Sequence, residues 1–403
     1  MSIRPITILC VASYDKGHDF MRECKAQGAR VLLLTAERLN DIPWPHECID
    51  EVYYLPEPDG VWVTEHVLNA ISYVARTENI ERIVALDDYD LEIAGLLREH
   101  LQVSGIGVSV TRNFRDKLSM RNTALKAGLD VPKFVQFVNV DKIKQLYTST
   151  PFPFMIKPRS QASALGIHKV QNEAEVWRLY DELGDQRSHY VMEQFLPGDV
   201  YHVDALTDNG KIVFASASKY GRPPFDVSHG GGIFTTSILK RSTKEEKEIL
   251  AANKAVLEAM GLHFGASHTE FIRSHADGKF YFLETAARVG GANIVELVEA
   301  ASGINLWREW AKIELLYGEL PYKLPKVTKE YAGLLISLAK QEYPDTGAYN
   351  DKEIVWRMNK KNHVGVIVRS KEYDRVHVLL DNYAQRFQEE FNLFIPAPDK
   401  PTH

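Results

Sequence analysis

Apolar residues in this chain fall into short runs separated by polar stretches, and the spacing of those runs changes partway along. ITILCVAS (6–13), a helical stretch near 15–28 and the run ARVLLLTA together read as βαβ. RIVALDD (82–88) then feeds the amphipathic LEIAGLLREHL, so strand and helix signals alternate over the first ~110 residues as in a small doubly wound sheet. The first turn, SYDKGHD, lacks G-x-G-x-x-G, which argues against a dinucleotide site there. From about 113, NFRDKLSMRNTALKAGLDVP predicts a helix stopping at Gly128, with Pro132 just beyond. PFMIKP (153–158), HYVMEQFLPG (189–198), YHVDAL (201–206) and KIVFASASKYG (211–221) are closely spaced strand patterns, predicting largely antiparallel structure. A helix around 243–261 precedes FGASHTEFIR (264–273) and GKFYFLET (278–285), which a polar turn separates as in a hairpin. VGVIVRS (364–370) and the helical 372–391 suggest a smaller closing lobe, and PAPDKPTH a loose tail.

With 403 residues, 45% of them hydrophobic and 25% charged, the chain can bury a sizeable core in two or three domains. A net charge of −6 with signs mixed along the chain gives no basic field, so nucleic acid and anionic membrane are not expected partners, and small-molecule chemistry is. Cys10, Cys24 and Cys48 are few, odd in number and not at metal-ligand spacing; they suit free thiols in a reducing compartment, and a cytoplasmic location is expected. There is no charged-then-apolar leader, and no apolar run reaches the ~20 residues of a bilayer span.

The chemistry concentrates near the hairpin. If its strands pair, Glu270 and Glu284 can project from one face and hold a hard divalent cation; otherwise they are solvated or salt-bridged strand residues. Arg288 lies just beyond, where its planar fork suits a carboxylate or acyl phosphate, the alternative being an ion pair with one of these two acids. Gly290 and Gly291 permit close backbone approach and open the helical ANIVELVEAASG, whose free N–H groups could face an anion. Asn293 in that turn either caps the helix or binds ligand, capping being the first expectation. Lys157 ends the apolar FPFMIK and needs a negative charge, which a nucleotide phosphate would supply; the small-residue loop PRSQASALGI after it can lie over phosphates. VMEQFLPGD has the composition of an adenine slot or of an ordinary edge strand, and Lys117 by itself is a solvated helix residue. His202, His229 and His268 lack zinc-ligand spacing and read as packing residues, while SHGGGIF (228–234) reads as a loop over a substrate or a long hairpin turn.

Taken in order, Lys117, IKP with its small-residue loop, MEQFL, TEF and FLETAAR resemble the ATP-grasp superfamily over roughly residues 1–390. The resemblance implies an α/β and α+β architecture: an N-terminal Rossmann-like domain (1–112), an ATP-grasp central and ATP-binding region (113–325), and a C-terminal lobe (326–403) completing the ATP-grasp domain. It implies ATP between two α+β subdomains, with Lys117 and Lys157 on its phosphates and Glu193, Gln194, Phe195 and Leu196 around adenine. Glu270 and Glu284 match ligands of Mg²⁺, or of Mn²⁺ in its place, and Arg288 matches the arginine facing the carboxylate or acyl phosphate, with Gly290, Gly291, Asn293 and His229 on the substrate side. The sequence departs from the superfamily's pattern at Ala286, where a metal-binding asparagine is common, and in the phosphate loop at Gln161 and Ala164, where Ser163 is the substitute. It departs again at Val200, leaving Asp199 or Asp204 for the ribose. The implied activity is ATP-dependent joining of a small carboxylate, an amino acid first of all, to an amine, in a protein compatible with a homodimer. The rivals are a bicarbonate-activating enzyme of biotin-carboxylase or carbamoyl-phosphate type and a non-catalytic ATP sensor.

Overall fold

A computed structural model describes residues 5–58, 60–161 and 166–393, apart from the side chains of Ser228 and His229. The phosphate-loop residue Ser163, the PAPDKPTH tail and the His229 side chain lie outside the described residues.

Strands β1 (Thr7–Ala12), β2 (Arg30–Ala36), β3 (Glu51–Leu55) and β4 (Ile80–Ala85) form a parallel sheet in the order β3-β2-β1-β4. Leu9, Val11, Leu32 and Leu34 face one buried side of it, and Ile8, Cys10, Val31 and Leu33 the other, which is why these strands are apolar without alternation. The doubly wound expectation holds; the edge strand β3 was not legible in the pattern.

The helix expected from about 113 begins only at Lys117 and runs to Lys126. Asp116 caps it by accepting from the N–H groups of Leu118 (2.9 Å) and Ser119 (3.4 Å), and Arg112–Phe114 form a separate 3-10 turn. This cap fixes Lys117 at the first helical position.

A small antiparallel sheet follows, ordered β5-β8-β6-β7: β5 (Phe134–Gln136), β6 (Phe154–Pro158), β7 (His168–Val170) and β8 (Tyr190–Gln194). The large sheet contains β9 (Gly198–Asp208), β10 (Lys211–Tyr220), β11 (Phe234–Ile238), β12 (Gly265–Ser274) and β13 (Phe280–Ala286). It continues through β14 (Tyr331–Leu338), β15 (Ile354–Arg357) and β16 (His363–Ser370) as an eight-stranded antiparallel layer, β13-β12-β9-β10-β11-β14-β16-β15. Strands beyond 326 thus extend the sheet that carries the hairpin. The hairpin is β12–β13 as expected.

The helix Leu306–Leu316 packs against the helix His18–Ala26 that follows β1, with the Trp310 ring edge-on to Phe20 at 5.1 Å. Segment 228–234, expected as loop or hairpin turn, instead belongs partly to a short helix, Pro224–Gly230, which starts where Pro224 can occupy a first-turn position without needing its missing N–H. No helix among the described residues is long and apolar enough to cross a membrane.

Candidate active site

Residues paired across antiparallel strands share a face, and that rule builds the site. Glu270 on β12 stands directly opposite Glu284 on β13. On the other side of β12, His202 of β9 lies opposite Glu270, and Asp204 opposite His268. Because side chains alternate along a strand, His202, Asp204, His268, Glu270 and Glu284 all point to one face. Glu270 and Glu284 both line a cleft of about 430 Å³, together with Lys117, Lys157 and Arg288.

Lys117 Nζ is 2.9 Å from Glu284 Oε2 and donates to the Gln161 carbonyl at 2.7 Å. Burial would raise the Glu284 pKa, but Lys117 outweighs it, with Lys157 and Arg121 adding to the effect, so the carboxyl is held well below its ordinary range. Glu270 accepts from the Tyr220 hydroxyl at 2.8 Å, and His268 Nε2 is 3.6 Å from the same oxygen.

Glu193 does not point into the cleft. Its carboxylate, 1% exposed, sits beneath, where Arg121 donates to Oε2 from Nε (3.1 Å) and Nη2 (2.8 Å) while Lys157 pairs with Oε1. Burial alone would raise its pKa; Arg121 and Lys157 outweigh burial and hold it at about 2. Glu193 therefore aims Lys157. Beyond it, Phe195 lies under the Lys169 ammonium (3.7 Å from the ring centroid), and Leu196 packs against Val200, Tyr220 and Ile272. Asp199 pairs with Lys219 at 2.8 Å. None of Glu193–Leu196 or Asp199 is on the cleft wall among the described residues, although the wall includes Val200.

Arg288 is on the wall, but its partner comes from the turn after β4: Nε donates to Asp88 Oδ2 at 2.7 Å, Nη2 pairs with the same oxygen, and Nη1 donates to the Val289 carbonyl at 2.6 Å. Burial would lower the Arg288 pKa; the carboxylates of Asp88 and Asp87 outweigh it and push it up. The ion pair that forms is with Asp88, two hundred positions away, and not with Glu270 or Glu284 as the alternative reading expected. Gly291 lines the cleft, while Gly290 lies so close to Asp204, Ile294 and His268 that a Cβ there would sit 2.8–3.0 Å from their atoms. Asn293 does not cap its helix: it has φ 59° and makes no side-chain cap, because capping geometry requires an extended backbone.

Two of the histidines meet across neighbouring strands, although no sequence spacing brings them together. His202, Asp204 and His268 converge from neighbouring strands into a buried cluster whose ligand atoms lie within 4.8 Å of one another. His202 Nδ1 meets Asp204 Oδ2 at 2.7 Å, and His268 Nδ1 meets Oδ1 at 2.8 Å. Donors on a tetrahedral zinc ion with bonds of ~2.0–2.1 Å stand roughly 3.3 Å apart. The trio is thus hydrogen-bonded rather than spread around an ion, and it braces the strand that carries Glu270. Two facing carboxylates suit a hard cation such as Mg²⁺ better than this trio suits zinc.

Sequence reasoning missed Asp88, Arg121, Asp204 as the histidines' partner, and Tyr220. The alternation H-x-D on β9 beside H-x-E on β12 was the one available signal.

The ATP-grasp domain matches residues 150–296. An L-arginine-specific L-amino acid ligase of Bacillus subtilis is 25% identical over 285 residues, covering 69% of this chain and 66% of the relative. An alanine–anticapsin ligase of B. subtilis strain 168 is 25% identical over 277 residues, 64% of this chain and 58% of the relative. The chain therefore spans less than two thirds of the length of these curated relatives. The crystal structure of an L-amino acid ligase from Bacillus licheniformis superposes with a TM-score of 0.76 at 18% identity, covering 97% of this chain and 99% of that one. A 2-oxoglutarate carboxylase biotin carboxylase domain from Hydrogenobacter thermophilus, in complex with MgADP, gives 0.70 at 15% identity, over 96% and 90%. The chain has the ATP-grasp fold. Within that fold, the two curated relatives named here are amino-acid ligases.

Proposed function

We propose that the protein is an ATP-dependent carboxylate–amine ligase that activates a small carboxylate, an amino acid first of all, as its acyl phosphate and joins it to an amine. The observation that carries this reading is the opposed pair Glu270 and Glu284 on one cleft wall, with Lys117 and Lys157 beside it. Two facing carboxylates offer hard oxygen donors that fit Mg²⁺, beside a Lys117 that already offsets part of the charge on Glu284. When bound, that ion would offset charge on the phosphate oxygens of ATP.

In this reading Lys117 and Lys157, each aimed by an acid, hold the phosphates in line with the substrate carboxylate. The carboxylate oxygen takes the γ-phosphoryl group and ADP leaves; the amine nitrogen then attacks the acyl carbon, phosphate departs with the C–O electrons, and the amine loses a proton. No protein nucleophile is required, so the residues act by positioning and by offsetting charge. Arg288, held by Asp88 on the same wall, adds positive charge to the cleft, and the apolar wall, including Phe225, Val227 and Phe234, limits water that would hydrolyse the acyl phosphate. The buried free thiols Cys10, Cys24 and Cys48 support a reducing, cytoplasmic setting.

The test is to incubate the protein with Mg²⁺, ATP and pairs of amino acids, following ADP and phosphate release and the condensed product by mass spectrometry. Amino-acid-dependent ADP release with a product heavier than either partner is expected. ADP release that depends on bicarbonate alone, or a stable phosphorylated product, would replace this reading with the carboxylase or kinase alternative.

A further inference from the structure

Arg115 lies two positions before Lys117, is 9% exposed, and lines the cleft. Its guanidinium carbon is 4.6 Å from the centroid of the Tyr89 ring. The other cations on the wall each have a carboxylate: Lys117 has Glu284, Lys157 has Glu193, and Arg288 has Asp88. Among the described residues Arg115 has neither an ion pair nor a side-chain hydrogen bond, and its Nε is sealed from solvent without an acceptor. A guanidinium stays charged at any working pH, and an unpaired buried charge is strongly disfavoured, so a cation kept in this position calls for an anion from outside the chain.

We propose that Arg115 binds the anionic oxygens at the transferring end of the cleft: the terminal phosphate of the nucleotide, or the carboxylate that receives it. The inference rests on the ligase reading above and goes beyond it, because it gives the free fork at the reacting centre to Arg115. Each of the three Arg288 nitrogens already has an acceptor, in Asp88 or Val289. The Arg115 head has none, and the fork geometry of a guanidinium matches two oxygens of a phosphate or carboxylate at once. Arg115 lies two positions before Lys117, the first residue of the helix, so both cations reach the cleft from one segment.

The experiment compares the wild-type protein with Arg115→Met, which keeps an apolar stem against Tyr89, and with Arg115→Lys, which keeps the charge. Calorimetry with Mg²⁺ measures the affinity of ADP and of the β,γ-imido analogue of ATP, and steady-state assays give the KM of the carboxylate. If the terminal phosphate is the ligand, Arg115→Met weakens the analogue at least about 10-fold and leaves ADP unchanged. If the carboxylate is the ligand, its KM rises by about the same factor while both nucleotides bind as before. Partial recovery in Arg115→Lys is expected in either case. Equal weakening of ADP and the analogue would reduce Arg115 to a brace for Tyr89 and overturn the proposal, as would no change in any of the three quantities. Should Arg115→Met fail to fold, Arg115→Gln is read by the same measurements. A wild-type protein with no amino-acid-dependent ADP release sinks the ligase reading separately, while the ADP-against-analogue comparison still decides the phosphate arm.

Discussion

Asp88 and Arg288 are joined across 200 positions of sequence, with a single carboxylate oxygen accepting from two guanidinium nitrogens. The contact links the 3-10 turn that follows β4 to the segment that follows β13, and with Lys157 of β6 on the same wall the cleft draws on all three sheets. The other Asp88 oxygen is buried without a partner.

Replacing Asp88 by Ala leaves Arg288 charged and buried, and is expected to lower stability by about 3–5 kcal/mol in urea unfolding. Arg288→Met strands Asp88 in the same way. The double variant is expected to lose clearly less than the sum of the two; additivity to within about 0.5 kcal/mol would show that the pair is not energetically coupled.

Glu270→Gln and Glu284→Gln are each expected to reduce ADP release more than about 100-fold with an unchanged circular dichroism spectrum. Glu270→Gln is the cleaner of the two, because Glu284 also supplies the partner of Lys117. Wild-type turnover in either variant would remove the metal assignment.

Glu193 contributes to the acid limb of stability. Its pKa is lowered from 4.5 to about 2, so the stabilisation is fully present above 4.5 and is lost as pH falls towards 2. The linked change is on the order of 3 kcal/mol. Glu193→Gln is expected to be less stable at neutral pH, with Arg121 and Lys157 unneutralised, and to show a shallower decline between pH 5 and 2. A decline as steep as that of the wild type would place the acid sensitivity elsewhere.

The two adjacent glycines separate packing from access. Gly290→Ala would put a Cβ 2.8 Å from Asp204 Oδ1 and 2.9 Å from Ile294 Cγ2, whereas nothing lies within 4 Å of a Cβ at Gly291. The first substitution is expected to destabilise by about 1–3 kcal/mol. The second should leave the melting temperature within a degree or two, by the order-of-magnitude conversion between stability and melting temperature. Equal melting temperatures for the two variants would contradict the close packing at Gly290.

Much of this arrangement was legible in the sequence, because it depends on local rules. Two strand patterns separated by a polar turn pointed to a hairpin on which Glu270 and Glu284 could share a face, and the apolar run before Lys157 marked a cation in need of a partner. What could not be read depends on tertiary pairing. Asp88, Arg121 and Asp204 become informative only beside Arg288, Glu193 and His268, and no spacing rule connects elements so far apart. Asn293 was misjudged because a left-handed residue at a helix start leaves no mark in its own side chain. The helix after 113 was begun early because Asp116, an effective cap, lies inside an otherwise helical pattern.

The first sheet matters here for what its last turn delivers. Residues 150–296 are the part of the chain that matches a known domain, yet Asp88, Arg115, Lys117 and Arg121 all precede it. A gene trimmed to the matched segment would keep both acids of the hairpin but lose Lys117, the partner of Glu284, and Arg121, a partner of Glu193, and it would strand Arg288 without Asp88, so the charges of the cleft would no longer balance.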